Sequence, residues 1–286
     1  MERTTAGWGS GLLGVIIFSG SLPATRLAVA DLTPLFVTSG RAVIAALLGA
    51  AFLMALRQAR PARSNLIPLA IVSVGVVVGF PLLTGLALQH ITAAHSVVFV
   101  GLLPLSTAIF GVLRGGERPK AAFWVFSTIG AAVVAGFALC NSGGGSLTGD
   151  VLMVAAIVLC GLGYAEGALL SRRLGGWQVI SWALLLSLPI MVALTIATMP
   201  ANFTDVGWHA WSGFAYVSVF SMMLGFVFWY RGLAVGGIAG VGQLQLLQPF
   251  FGLVLSAVVL GETVAWTMVA STVIVILCVA GAKRLS

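Results

Sequence analysis

The sequence predicts an all-α integral membrane protein: ten transmembrane helices arranged as two inverted five-helix repeats, with both termini cytoplasmic. Three observations lead there. First, 286 residues that are 60% hydrophobic and only 7% charged, with a mean hydropathy of +1.12, are too apolar for a soluble domain. Second, Leu88 to Glu117 repeats at Leu233 to Glu262: a shift of 145 positions superposes Leu102 on Leu247, Pro104 on Pro249 and Gly116-Glu117 on Gly261-Glu262. Third, the Gly/Ser-rich stretch from Asn141 to Gly149 falls at the midpoint and divides the chain into a first repeat (1–140), a linker (141–149) and a second repeat (150–286).

Apolar runs between polar or Gly/Pro punctuation give ten spans, at 9–29, 34–56, 66–88, 92–113, 120–140, 150–171, 177–199, 209–231, 238–260 and 264–282. About 20 residues cross a hydrocarbon core of roughly 30 Å, so the spans leave only short connectors and no soluble domain. The first run mimics a secretory signal, with a basic residue, an apolar core and Ala28-Val29-Ala30. Pro23 and Arg26 interrupt that pattern, and the run pairs with the sixth span in the two-fold plan, so it is read as a retained helix.

Charge sets the orientation. With a cytoplasmic N-terminus, Arg3, Arg57, Arg60, Arg63, Arg114, Arg118, Lys120, Arg172, Arg173, Arg231, Lys283 and Arg284 fall inside. Only Arg26 approaches the outer face, together with Asp31, Asp150, Asp205 and Glu262, and short cytoplasmic loops retain positive charge. The net charge of +7 is thus a topology signal, and nucleic acid is not an expected partner. Five helices per copy make the second copy enter from the opposite side, an architecture of transporters with a site near the midplane. The expected partners are the bilayer and a small-molecule substrate. Neither cofactor nor metal is called for: the cysteines, Cys140, Cys160 and Cys278, are widely spaced, and His90 and His95 point roughly 140° apart on a helix. Monomer and homodimer both stand.

The ten-span plan, the paired Leu-(x5)-Ala…Pro-(x12)-Glu motifs and the short linker resemble the drug/metabolite transporter superfamily, in its EamA-type branch. The resemblance covers essentially the whole chain. It implies a bacterial inner-membrane secondary transporter exporting small amphipathic metabolites by alternating access, through a cavity between the repeats. The bacterial amino-acid exporters, aromatic ones included, are the nearest in pattern, so bulky neutral amino acids are the expected cargo. Other small metabolites or cationic drugs are the alternative cargo. An intramembrane enzyme, the reading from another class, lacks a Gly-x-Ser-Gly nucleophile or a His/acid cluster.

Several residues are candidates for function. Pro104 and Pro249 fall near the middle of spans four and nine, where a proline removes a hydrogen bond, and are read as paired hinges or as static kinks. Glu117 and Glu262 are read as helix-start residues that offset the dipole of the span after them. Arg41 in span two and Glu166 in span six are the charges set deepest. Arg41 either anchors a substrate carboxylate or ties helices together, and Glu166 either relays protons or snorkels beside Arg172 and Arg173. Gln245 and Gln248 share a face of span nine that cannot meet lipid cheaply. His95 and Phe99 share a stripe with Leu102 and Ser106 on span four. Phe80, Tyr164 and Trp229 offer rings to an apolar or aromatic substrate, with interfacial anchoring the other reading for Tyr164 and Trp229.

Overall fold

A computed structural model describes residues 2–115, 121–140, 146–236 and 242–284, and all regular structure among them is helical. Glu117, the Gly236-Gly237 junction and most of the linker lie outside the described residues. In chain order the α-helices are α1 (Glu2–Ser19), α2 (Ser21–Asp31), α3 (Pro34–Ala55), α4 (Leu66–Val72), α5 (Phe80–Ala87), α6 (Ala93–Val100) and α7 (Leu103–Gly115). They continue as α8 (Ala121–Cys140), α9 (Leu147–Leu174), α10 (Gly176–Ala197), α11 (Trp208–Ala215), α12 (Phe226–Gly236), α13 (Gln248–Leu260) and α14 (Trp266–Arg284).

Among the described residues, seven continuous helical stretches are long and apolar enough to cross a membrane: Ala6–Asp31, Pro34–Ala55, Arg63–Ala87, Ala93–Arg114, Leu147–Leu174, Gly176–Ala197 and Trp208–Gly232. Leu244–Leu260 and Trp266–Cys278 are shorter and also apolar. The chain is therefore a multi-pass membrane protein. The sixth span begins earlier than its apolar run suggests, because Ser146 takes an extended backbone and the helix opens at Leu147, within the expected linker.

Local signals at the helix ends explain the boundaries. The Thr33 side chain accepts a hydrogen bond from the Phe36 amide, with Pro34 behind it in the first turn, and Thr92 accepts from the His95 amide. Gly175, at φ 92°, turns the chain between α9 and α10, and Gly261, at φ 63°, ends α13 in the left-handed region. Glu262 is not a helix-start residue of α14. Its carboxylate reaches across to accept the Ala93 amide at 3.1 Å and the Ala94 amide at 2.8 Å, so it caps α6. The dipole argument holds, but for a helix far away in sequence.

Among the described residues, five spans change pitch or break partway. A turn at Gly20 separates α1 from α2, and one at Gly101-Leu102 separates α6 from α7. π-helical turns cover Ser73–Gly79 and Tyr216–Gly225, and a 3-10 segment covers Gly242–Leu247. Two of these breaks keep the 145-residue register: 73–79 maps to 218–224, and 101–102 maps to 246–247. The prolines sit at these breaks and not in mid-helix. Pro104 is the second residue of α7, and Pro249 lies in the first turn of α13. There the missing N–H costs nothing, because the first-turn amides have no intrahelical acceptor.

The helices pack in pairs across the midpoint of the chain: α1 on α12, α3 on α10, α5 on α9, α7 on α9, α6 on α13, and α8 on α14. Close approach relies on small residues. A Cβ at Gly213 would stand 2.4 Å from the Ala24 carbonyl oxygen, and one at Gly75 would stand 2.7 Å from that of Leu159.

Candidate functional site

All five irregular points converge on one cavity. Ser21 and Leu22 follow the Gly20 turn, and Val76, Phe80 and Pro81 come from the first π segment and its exit. Leu103 follows the Gly101-Leu102 turn, Ser221 and Phe226 come from the second π segment and its exit, and Gln248 follows the 3-10 segment. The regular helices α3 and α9 add Arg41, Cys160 and Tyr164. Irregular backbone within a membrane is tolerated where it faces a protein cavity and not lipid, which accounts for this convergence. The free space is about 30 Å³, room for only about two waters.

Arg41 is the electrostatic centre of the site. It is 4% exposed, its Nη2 donates to Ser221 Oγ at 3.0 Å, and Ser221 shares a 2.7 Å hydrogen bond with Ser21. Its Nε has no acceptor, and it makes no ion pair among the described residues. No acid lines the cavity among those residues. A buried guanidinium held only by a hydroxyl leaves its fork free for a planar acceptor, the geometry a carboxylate supplies. The Gln248 Oε1 is buried without a donor, so an acceptor stands unused in the same cavity wall.

Rings form the apolar side. Phe18 and Phe226 meet edge to face at 5.0 Å, Tyr164 and Phe226 at 6.0 Å, and Trp229 tilts against Tyr164 at 6.3 Å from the layer behind. Tyr164 and Trp229 are 6% and 2% exposed, which places both in the interior and not in an interfacial belt. The Trp229 Nε1 has no acceptor.

Four of the sequence candidates therefore share the cavity: Arg41, Phe80, Tyr164 and Gln248. Trp229 backs it. Gln245 is buried one 3-10 turn before Gln248, with its Nε2 unpaired, outside the lining. The stripe on span four faces α9. His95 Nε2 lies 2.7 Å from Asp150 Oδ1, Phe99 packs on the His95 ring at 5.8 Å, and Ser106 donates to the Ile157 carbonyl at 3.1 Å. Glu166 accepts from Arg114 Nε at 3.0 Å, so its partner is on α7 and not the neighbouring Arg172 and Arg173. Phe18, Ser21, Ser221 and Phe226 carry no functional signal in the sequence, because small or apolar residues are what any such span contains. The Gly20-Ser21 pair, a helix-weakening dipeptide inside an apolar run with Pro23 close behind it, is a local sign of a break.

Comparison with known proteins points one way. Residues 6–139 and 147–282 match the EamA-like transporter family. The chain is 62% identical over 284 residues to an uncharacterized transporter, YdeK, of Bacillus subtilis (strain 168), with 99% of each chain covered. It is 21% identical over 258 residues to an uncharacterized transporter of Archaeoglobus fulgidus, covering 87% of this chain and 88% of that one. A protein of known crystal structure superposes with a TM-score of 0.68 at 18% identity, over 98% of this chain and 97% of that one, a likeness of fold alone.

Proposed function

The chain belongs to the EamA-like transporter family, and on that premise we propose that it exports amino acids with aromatic or other bulky neutral side chains across the bacterial cytoplasmic membrane by alternating access. The observation that carries the cargo assignment is Arg41, a buried cation at the cavity wall with no counter-ion among the described residues. A substrate carboxylate completes its hydrogen bonding, the Gln248 Oε1 receives the α-ammonium, and Phe18, Phe80, Tyr164 and Phe226 surround the side chain. Two unsatisfied groups of opposite character, one donor and one acceptor, suit a zwitterion better than a cationic drug, which Arg41 repels.

Alternating access fits the same geometry. The cavity in this conformation is too small for an amino acid, so cargo enters only after helices move, and the five irregular points are where spans bend with least loss. In this reading ten spans run as two inverted repeats (1–140 and 150–286, joined by 141–149) with cytoplasmic termini. The 145-residue register of the π turns and of the breaks supports it, as do the helix pairs across the midpoint and the inward bias of Arg and Lys. Pro104 and Pro249, at the start of the two half-helices after the breaks, act as the hinge positions.

The test is counterflow in proteoliposomes preloaded with unlabelled phenylalanine. Saturable uptake of labelled phenylalanine, inhibited by leucine and tryptophan but not by phenylalaninamide, is the expected outcome. Equal inhibition by the amide, which lacks the carboxylate, removes Arg41 as the anchor.

A further inference from the structure

The cavity wall is built twice. Among the described residues that line it, Val76 and Ser221, Pro81 and Phe226, and Leu103 and Gln248 each lie 145 positions apart. The backbone at the paired positions matches as well. Val76 and Ser221 lie in the two π segments, and Pro81 and Phe226 follow their exits. Leu103 and Gln248 open α7 and α13, each directly before a proline, Pro104 or Pro249. The chemistry does not match. In two of these pairs the chain after the linker supplies a hydroxyl or an amide where the chain before it supplies a branched aliphatic group.

Packing sorts these groups onto two sides. The π segment Ser73–Gly79, α5 and α7 all pack on α9, so Val76, Phe80 and Leu103 join Cys160 and Tyr164 on one wall. The approach there is close: a Cβ on Gly163 of α9 would stand 2.8 Å from Val76 Cγ1. On the other wall Ser221 is bonded to both Ser21 and Arg41, and α13, which carries Gln248, packs on α1 and α2. Burial alone does not demand the apolar choice at Val76 and Leu103. Ser221 and Gln248 occupy the matching backbone positions at 3% and 8% exposure.

Resting on the amino-acid reading above, we infer that Val76 and Leu103 set cargo specificity. With Phe80 and Tyr164 they form a side-chain subsite on the α9 wall that accepts hydrocarbon and rejects side chains bearing an amide or a hydroxyl. The main-chain end of the cargo belongs to the opposite wall, where Arg41 leaves a donor unused and Gln248 an acceptor. A glutamine side chain brings two N–H donors and a carbonyl with two lone pairs, and the α9 wall offers it the Tyr164 hydroxyl and the weak Cys160 thiol. Leucine is nearly the same size and needs no such partners. Burying the amide with most of its hydrogen bonds unmade disfavours glutamine relative to leucine by about tenfold or more.

The test compares leucine with glutamine, a pair matched in size, as inhibitors of labelled phenylalanine counterflow in proteoliposomes. The wild-type protein should favour leucine by about tenfold or more. Leu103→Gln places on the α9 wall the residue found at the matching position 248, and it should cut that preference below about threefold. Val76→Thr, equal in size to the native residue, should lower the preference in the same direction. Gln248→Leu weakens both amino acids and should leave their ratio within about twofold, because it touches the end they share. An unchanged ratio in Leu103→Gln with phenylalanine exchange retained overturns the inference, as does a wild-type carrier that takes glutamine as readily as leucine. Both results leave the amino-acid reading standing. Absence of any amino-acid counterflow in the wild type overturns that reading and this inference together. Should Leu103→Gln fail to fold, the other two variants decide: a ratio that moves in Val76→Thr and holds in Gln248→Leu is expected, and any other pattern overturns the assignment.

Discussion

Replacing Arg41 by methionine should make the protein more stable and inactive at once. The guanidinium is 4% exposed, holds one hydrogen bond to Ser221 and has no carboxylate partner among the described residues. Removing it forfeits that charge-assisted bond, about 1.5–3 kcal/mol. It also removes the desolvation penalty of a lone buried cation, which is several kcal/mol even after relaxation. Ser221 retains its bond to Ser21, so no new orphan is created on that side. The net is a gain of about 1–2 kcal/mol, roughly 2–6 °C in Tm by tryptophan-fluorescence melting in detergent. Cargo binding should move oppositely. Two charge-assisted bonds to a carboxylate are worth at least about 3 kcal/mol, so the counterflow KM should rise by about 100-fold or more. Arg41→Lys, which keeps the charge without the fork, should fall between. A Tm that drops by several degrees would mean that Arg41 is a structural tie, and an unchanged KM would mean that it does not touch cargo. Either result refutes the reasoning.

Three other outcomes follow from the geometry. Gln248→Leu should weaken phenylalanine counterflow by about tenfold while leaving inhibition by 3-phenylpropionate within about twofold, because only the ammonium loses an acceptor; equal loss for both would place Gln248 elsewhere. Arg114→Met should lower Tm more than Glu166→Gln does, since the first strands a buried carboxylate and the second frees a half-exposed cation; the reverse order would show that Glu166 has another partner. Gly213→Ala should lower Tm by several degrees, as its Cβ would press on the α2 backbone at Ala24 and Ala28, an overpacking cost of about 1–3 kcal/mol; a neutral effect would mean that α11 and α2 separate easily.

Much of this protein is legible without coordinates, because hydropathy over 20 residues and the sign of loop charge are local properties. The multi-pass apolar character, the 145-residue register and the depth of Arg41 follow from reading along the chain. The same local reading places Pro104 and Pro249 in mid-helix, since an apolar run carries no mark of where its helical pitch changes. It also assigns Glu262 to the helix next in sequence, although the amides it caps are 169 and 168 residues away.

Which polar face meets which partner was decided only by the tertiary structure. His95, Phe99 and Ser106 form a stripe that periodicity makes conspicuous, and packing turns it toward α9 and away from the cavity. Arg41 becomes a candidate anchor because Ser221, 180 residues on, gives it a single hydroxyl and no carboxylate among the described residues pairs with it. Glu166 loses its appeal as a proton carrier because Arg114 reaches it from α7. In a membrane nearly every buried polar group must find a partner, yet the sequence says only that a partner is needed. The identity of that partner is a property of helices brought together across the whole chain.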